Sequence, residues 1–200
     1  MRYQLTLLFD QQSLEHIRNS GLSVTIVRDA DIAAGLAVAW QTFHPLPNNL
    51  VEWDDDDEVY GTFSQLNPGA EIIPAATTHA VRGWRYTFGN GWFTATPGGS
   101  NPDGYELVNG TDAPVVLGLA KGAVVDGQHR VVPASAFFVP PGLSVRISPQ
   151  SRVSAFLSTN INSGVVLGRA PMNAFSVELS PERPTARIRY DEATGGFGAA

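Results

Sequence analysis

The chain has 200 residues, of which 43% are hydrophobic and 16% charged, which excludes a disordered polypeptide or a long charged helix. Thirteen basic against nineteen acidic residues give a net charge of −6, which argues against a nucleic-acid backbone as partner. With no cysteine, disulfides, zinc–thiolate sites and thiol catalysis are ruled out, and one lysine against twelve arginines reads as the codon usage of a GC-rich genome.

Leu5, Leu7 and Phe9 alternate with Thr6 and Leu8, which predicts a strand and is too short and too regular for a secretory core. No apolar run approaches the roughly 20 residues of a spanning helix, so a cytoplasmic protein with no membrane partner is expected. Gln11 to Asn19 is the helix candidate, with Asp10 as its N-cap. Leu22, Val24 and Ile26 resume the period of two, as do Leu143, Val145 and Ile147, and then Phe175, Val177 and Leu179. Ala34 to Phe43 and Ala113 to Ala120 are apolar on both parities, as central strands are. Tyr86-Thr87-Phe88 and Trp92-Phe93-Thr94 flank Gly89-Asn90-Gly91, the signature of a tight hairpin. Twenty glycines and fourteen prolines punctuate these runs. The pattern predicts an all-β chain, an antiparallel β-sandwich of jelly-roll type in a single domain over 1–200, with 191–200 as a short tail.

His16, His44, His79 and His129 stand far apart, without the close pair that a cupin-type metal centre needs. No nucleophile elbow, phosphate loop or dinucleotide glycine fingerprint is present. The densest chemistry is Glu52-Trp53-Asp54-Asp55-Asp56-Asp57-Glu58. Such carboxylates repel one another and suit calcium or magnesium, so Asp54, Asp55, Asp56, Asp57 and Glu58 are the metal candidates. The competing reading is a solvated loop whose charges guard a strand edge. Aromatic residues crowd the first half, and Trp40, Trp53, Tyr60, Trp84 and Arg85 are the ligand-binding candidates, weighed against simple core filling.

Short motifs follow one another in an order that resembles the RhiA-like proteins, small bacterial proteins expressed in the rhizosphere under quorum-sensing control. They are Leu36-Ala37-Val38-Ala39-Trp40, Val51-Glu52-Trp53 with Tyr60 and Phe63, and Leu66-Asn67-Pro68-Gly69-Ala70-Glu71-Ile72. Val115-Val116-Leu117-Gly118-Leu119, Gly164-Val165-Val166-Leu167, Asn173-Ala174 and Thr185-Ala186-Arg187-Ile188 complete the series. The family's aromatic stretch is replaced by Ser151-Arg152-Val153-Ser154-Ala155-Phe156, and its C-terminal tryptophan by Phe197. The resemblance implies a soluble all-β protein without an established reaction.

Three functions are therefore expected, the binding module foremost. The first is a non-enzymatic module that binds a small ligand, a protein partner or a divalent cation. The second is an enzyme without organic cofactor, with Glu52, Asp54 or Asp57 as acid or base in an aromatic pocket. The third is a self-assembling protein that builds a homo-oligomer through its sheet edges.

Overall fold

The computed structural model describes residues 1–30, 36–168, 171 and 173–200. The first alternation becomes β1 (Arg2–Leu8), which buries Tyr3, Leu5 and Leu7. In α1 (Gln11–Asn19) the Asp10 carboxylate accepts the Ser13 N–H at 2.7 Å, and Leu14 and Ile17 face inward. Next come β2 (Leu22–Ala30), β3 (Leu36–Phe43), β4 (Asn48–Asp54), β5 (Asp57–Thr62) and β6 (Ala76–Ala80). The expected start of β3 at Ala34 lies outside the described residues. The hairpin is β7 (Trp84–Gly89) and β8 (Trp92–Pro97), with Asn90 and Gly91 both at positive φ, as a two-residue I′ turn requires.

Beyond it lie β9 (Tyr105–Asn109), β10 (Val115–Val125), β11 (Gln128–Pro133), β12 (Ser135–Val139) and β13 (Ser144–Ile147). The chain continues through β14 (Pro149–Thr159), β15 (Val166–Leu167), β16 (Phe175–Glu178), β17 (Thr185–Asp191) and β18 (Gly196–Ala199). The final ten residues are thus not a tail. The Phe197 ring is buried and meets Phe9 and Tyr190 edge-on at 5.7 and 5.6 Å, so the end of the chain is held by apolar contact.

Among the described residues fourteen strands form one sheet, in the order β16-β14-β2-β3-β12-β10-β4-β1-β17-β18, with β5 and β11 also on β10, β6 on β5 and β15 on β3. It curls until β18 lies against β14 and β16, enclosing a first core around Leu5, Leu7, Ile26, Trp40, Val51 and Ile188. The smaller sheet, β13-β9-β7-β8, covers β5, β10 and β12, and a second core of Val59, Tyr86, Phe88, Leu107, Leu117 and Phe137 fills the gap. Among the described residues pairing is antiparallel except between β1 and β17 and between β7 and β9. The all-β fold is therefore a curled sheet that becomes a two-layer sandwich along part of its length. Among the described residues no helix is long and apolar enough to cross a membrane.

One strand serves both cores. On β10, Leu117 and Leu119 face the second core while Ala123 and Val125, on the same side of the strand, face the first. On the opposite side Gly118 lies under the Tyr60 ring, whose hydroxyl donates to the Ser135 carbonyl at 2.8 Å. A Cβ on Gly118 would collide with that carbonyl and with Tyr60. Gly118→Ala is therefore expected to destabilise the fold by about 1–3 kcal/mol, the usual cost of overpacking a core. Urea unfolding checks it, and an unchanged midpoint would refute the close packing.

Candidate functional site

The acidic run is divided by the pleat rather than gathered. β4 ends and β5 begins within it, and both strands pair with the same edge of β10. Asp54, Asp55 and Asp56 occupy the exposed bend, where an Asp54 oxygen accepts the Asp56 N–H at 3.0 Å and Asp55 faces the Met1 amine at 3.2 Å. Glu58 points to the outer surface, directly across from His79 on β6. Asp57, between them, turns into the protein and is 2% exposed. Among the described residues no three His, Asp or Glu side chains are grouped to hold one metal ion.

On the outer face, the bend borders a groove of about 560 Å³. Its lining includes Glu52, Asp54, Asp56, Asp57 and Glu58, with Arg2, His79 and His129, over a floor of Trp53, Gly122, Val124 and Val131. Gly122 leaves the floor low, and His129 fills the space above it, its Nε2 about 3.0 Å from where a Cβ would stand. Glu52 is held by Arg2 at 3.0 Å and by the Gln4 amide at 2.8 Å. The two histidines, 50 residues apart in the chain, meet in this groove because β6 and β11 flank β5 and β10.

Beneath the groove lies a buried charge cluster. Lys121, the one lysine of the chain, is 3% exposed and is the register partner of Asp57. Its Nζ donates to Asp57 Oδ1 at 2.8 Å and to the Asp56 carbonyl at 3.2 Å. The Tyr105 hydroxyl, from the smaller sheet, donates to Asp57 Oδ2 at 2.9 Å. Burial, with the Arg28 charge nearby, holds the Lys121 ammonium below the usual lysine range, against the pull of Asp57. Burial and then the Asp57 charge push the Tyr105 phenol up, so it stays a donor. Arg28 itself stands 5.4 Å over the Trp40 ring and donates to the Gln150 carbonyl at 2.8 Å. Two cavities of about 20 and 50 Å³ border Arg28, Asp57 and Lys121.

The aromatic candidates do not form one surface. Trp40 and Tyr60 are fully buried and have no surface to offer a ligand. Trp40 packs edge-on against Trp53 at 5.4 Å and donates its indole N–H to the Lys121 carbonyl at 3.0 Å. Trp53 is mostly core and borders the groove floor and the cavity of about 50 Å³. Trp84 is half-buried on the smaller sheet. Arg85 beside it is engaged with Glu106 through Nε at 3.0 Å and NH2 at 3.3 Å, and Glu106 also accepts the Ser100 N–H at 2.9 Å. No family model, curated protein or solved structure matches the chain.

Two outcomes follow for stability. Relative to the ion-paired chain, Lys121→Met strands a buried carboxylate and should cost about 3–5 kcal/mol, whereas adding Asp57→Leu should recover most of that loss. Urea denaturation of the single and double variants decides it, and a double variant no better than the single one would contradict it. The Ser100 N–H and then Arg85 hold Glu106 below its ordinary pKa of 4.5, so its contribution is present above pH 4.5 and is lost as pH falls through the lowered value. Glu106→Gln should therefore flatten the fall in melting temperature on the acid side of 4.5. An unaltered profile would show that Glu106 is not linked to folding.

Proposed function

We propose that this chain is a non-catalytic binding protein whose outer groove takes a small linear polyamine. The observation that carries this reading is the groove lining, in which the carboxylates of Glu52, Asp54, Asp56 and Glu58 border an apolar floor with Arg2 the one arginine among the described lining residues. A ligand of ammonium groups separated by methylenes matches that alternation, with the methylenes over Trp53, Val124 and Val131 and the charges toward Asp54, Asp56 and Glu58. A volume of about 560 Å³ falls in the usual range for small-molecule sites. The resemblance to RhiA-like proteins implies an all-β fold without an established reaction and leaves the activity open.

The dispersion of the acidic run favours a ligand with spread charge over a single divalent ion. An acid–base enzyme fits less well, since Glu52 is held by Arg2 and Gln4, Asp54 lies on the exposed bend, and the inward carboxylate of Asp57 faces cavities of only about 20 and 50 Å³. Those hold water, not an organic substrate.

Calorimetric titration with spermine is the test. One saturable site is expected, weaker as salt rises, and Asp56→Asn with Glu58→Gln should reduce affinity about tenfold, or about 1.4 kcal/mol. No saturable heat, or equal affinity in the double variant, would overturn the reading. Saturable calcium binding that displaces spermine would replace it with the divalent-ion reading.

A further inference from the structure

The buried cluster under the groove has a chemical property that ion pairing alone does not use. An amine and a carboxyl group are held at 2.8 Å on directly paired residues of adjacent strands, both almost fully enclosed. Between such groups, fixed geometry replaces the bimolecular encounter and supplies a large effective concentration. We propose that Lys121 and Asp57 condense within the folded chain to an isopeptide bond, so that β5 and β10 become covalently joined.

The step balances without any co-reactant. A proton passes from the Lys121 ammonium to the Asp57 carboxylate, giving amine and acid. Nζ then attacks Cγ, and the developing oxyanion at Oδ2 receives the hydrogen bond already directed there from the Tyr105 hydroxyl. A second proton moves from Nζ to Oδ1, the Cγ–Oδ1 bond breaks, and the products are one amide and one water. A cavity of about 20 Å³ that borders Asp57 and Lys121 is large enough for that water. The low-dielectric surroundings, Leu119, Ala134 and Ile147, disfavour the ionic pair relative to the neutral reactants and the neutral amide. The depressed basicity of Lys121 acts in the same direction. Tyr105 touches the reacting oxygen and is the catalytic residue of this step.

Because the chain has a single lysine, the bond has a simple readout. The folded protein is incubated at neutral pH, denatured, digested with a lysine-specific endoprotease, and weighed by intact mass spectrometry. A linked chain resists cleavage and is lighter than its sequence by one water. An unlinked chain is cut into 1–121 and 122–200 at their full summed mass, and that result overturns the proposal. Loss of one water with cleavage at Lys121 intact places the dehydration elsewhere, for instance at Asp126-Gly127, and equally overturns it. Resistance to cleavage without the loss of water does the same. Asp57→Ala and the charge-preserving Lys121→Arg should both keep full mass, and Tyr105→Phe should form the bond about a hundredfold more slowly. The mass of the wild-type chain decides the matter even if a variant fails to fold.

Discussion

The structure depends on how β10 distributes its side chains. Along one side of this strand, Leu117 and Leu119 enter the second core and Ala123 and Val125 the first, and Lys121 falls at the seam between them. A charge there is tolerable only because Asp57 on the neighbouring strand and Tyr105 from the facing sheet meet it. The same three groups tie together β10, β5 and the smaller sheet. A slip of one residue between β5 and β10 would separate Asp57 from Lys121 and send the apolar set into the groove. The charged seam therefore sets the register, and the register sets which residues the outer groove receives: Gly122 and Val124 as floor, Glu58 as rim.

The fold was largely legible because period-two alternation is a local signal. Leu5 and Leu7 inward, the Asp10 cap, and the Asn90-Gly91 turn are each decided by a few neighbouring residues. The end of the chain was not legible in this way. Gly195, Gly196 and Gly198 around Phe197 read as a loose end, and only the distant rings of Phe9 and Tyr190 make a strand of it. The parallel partnership of β1 with β17 is equally a matter of tertiary geometry, for nothing within either strand specifies it.

The site was less legible, for a related reason. A run such as Asp54 to Glu58 shows how many carboxylates are adjacent but not where a bend will fall, and the bend sends Asp57 inward and Glu58 outward. His79 and His129 share a groove through pairings between strands far apart in the chain. Lys121 had a signal that composition alone obscured. A lysine at the inward parity of an eleven-residue strand otherwise made of Val, Leu, Ala and Gly is a position that packing must explain. Trp40 and Tyr60 show the converse, since large aromatics in apolar strands go to the interior first.

The pairing of β1 has a consequence for synthesis on the ribosome. Gln4 lies beside Thr185 and Leu8 beside Arg189, so β1 waits for a strand 181 residues further along the chain. Until β17 emerges, the nascent chain holds β1 with one side open, an edge that neighbouring polysomal chains can occupy. Closure of the curled sheet is thus a late, slow event governed by contacts remote in sequence.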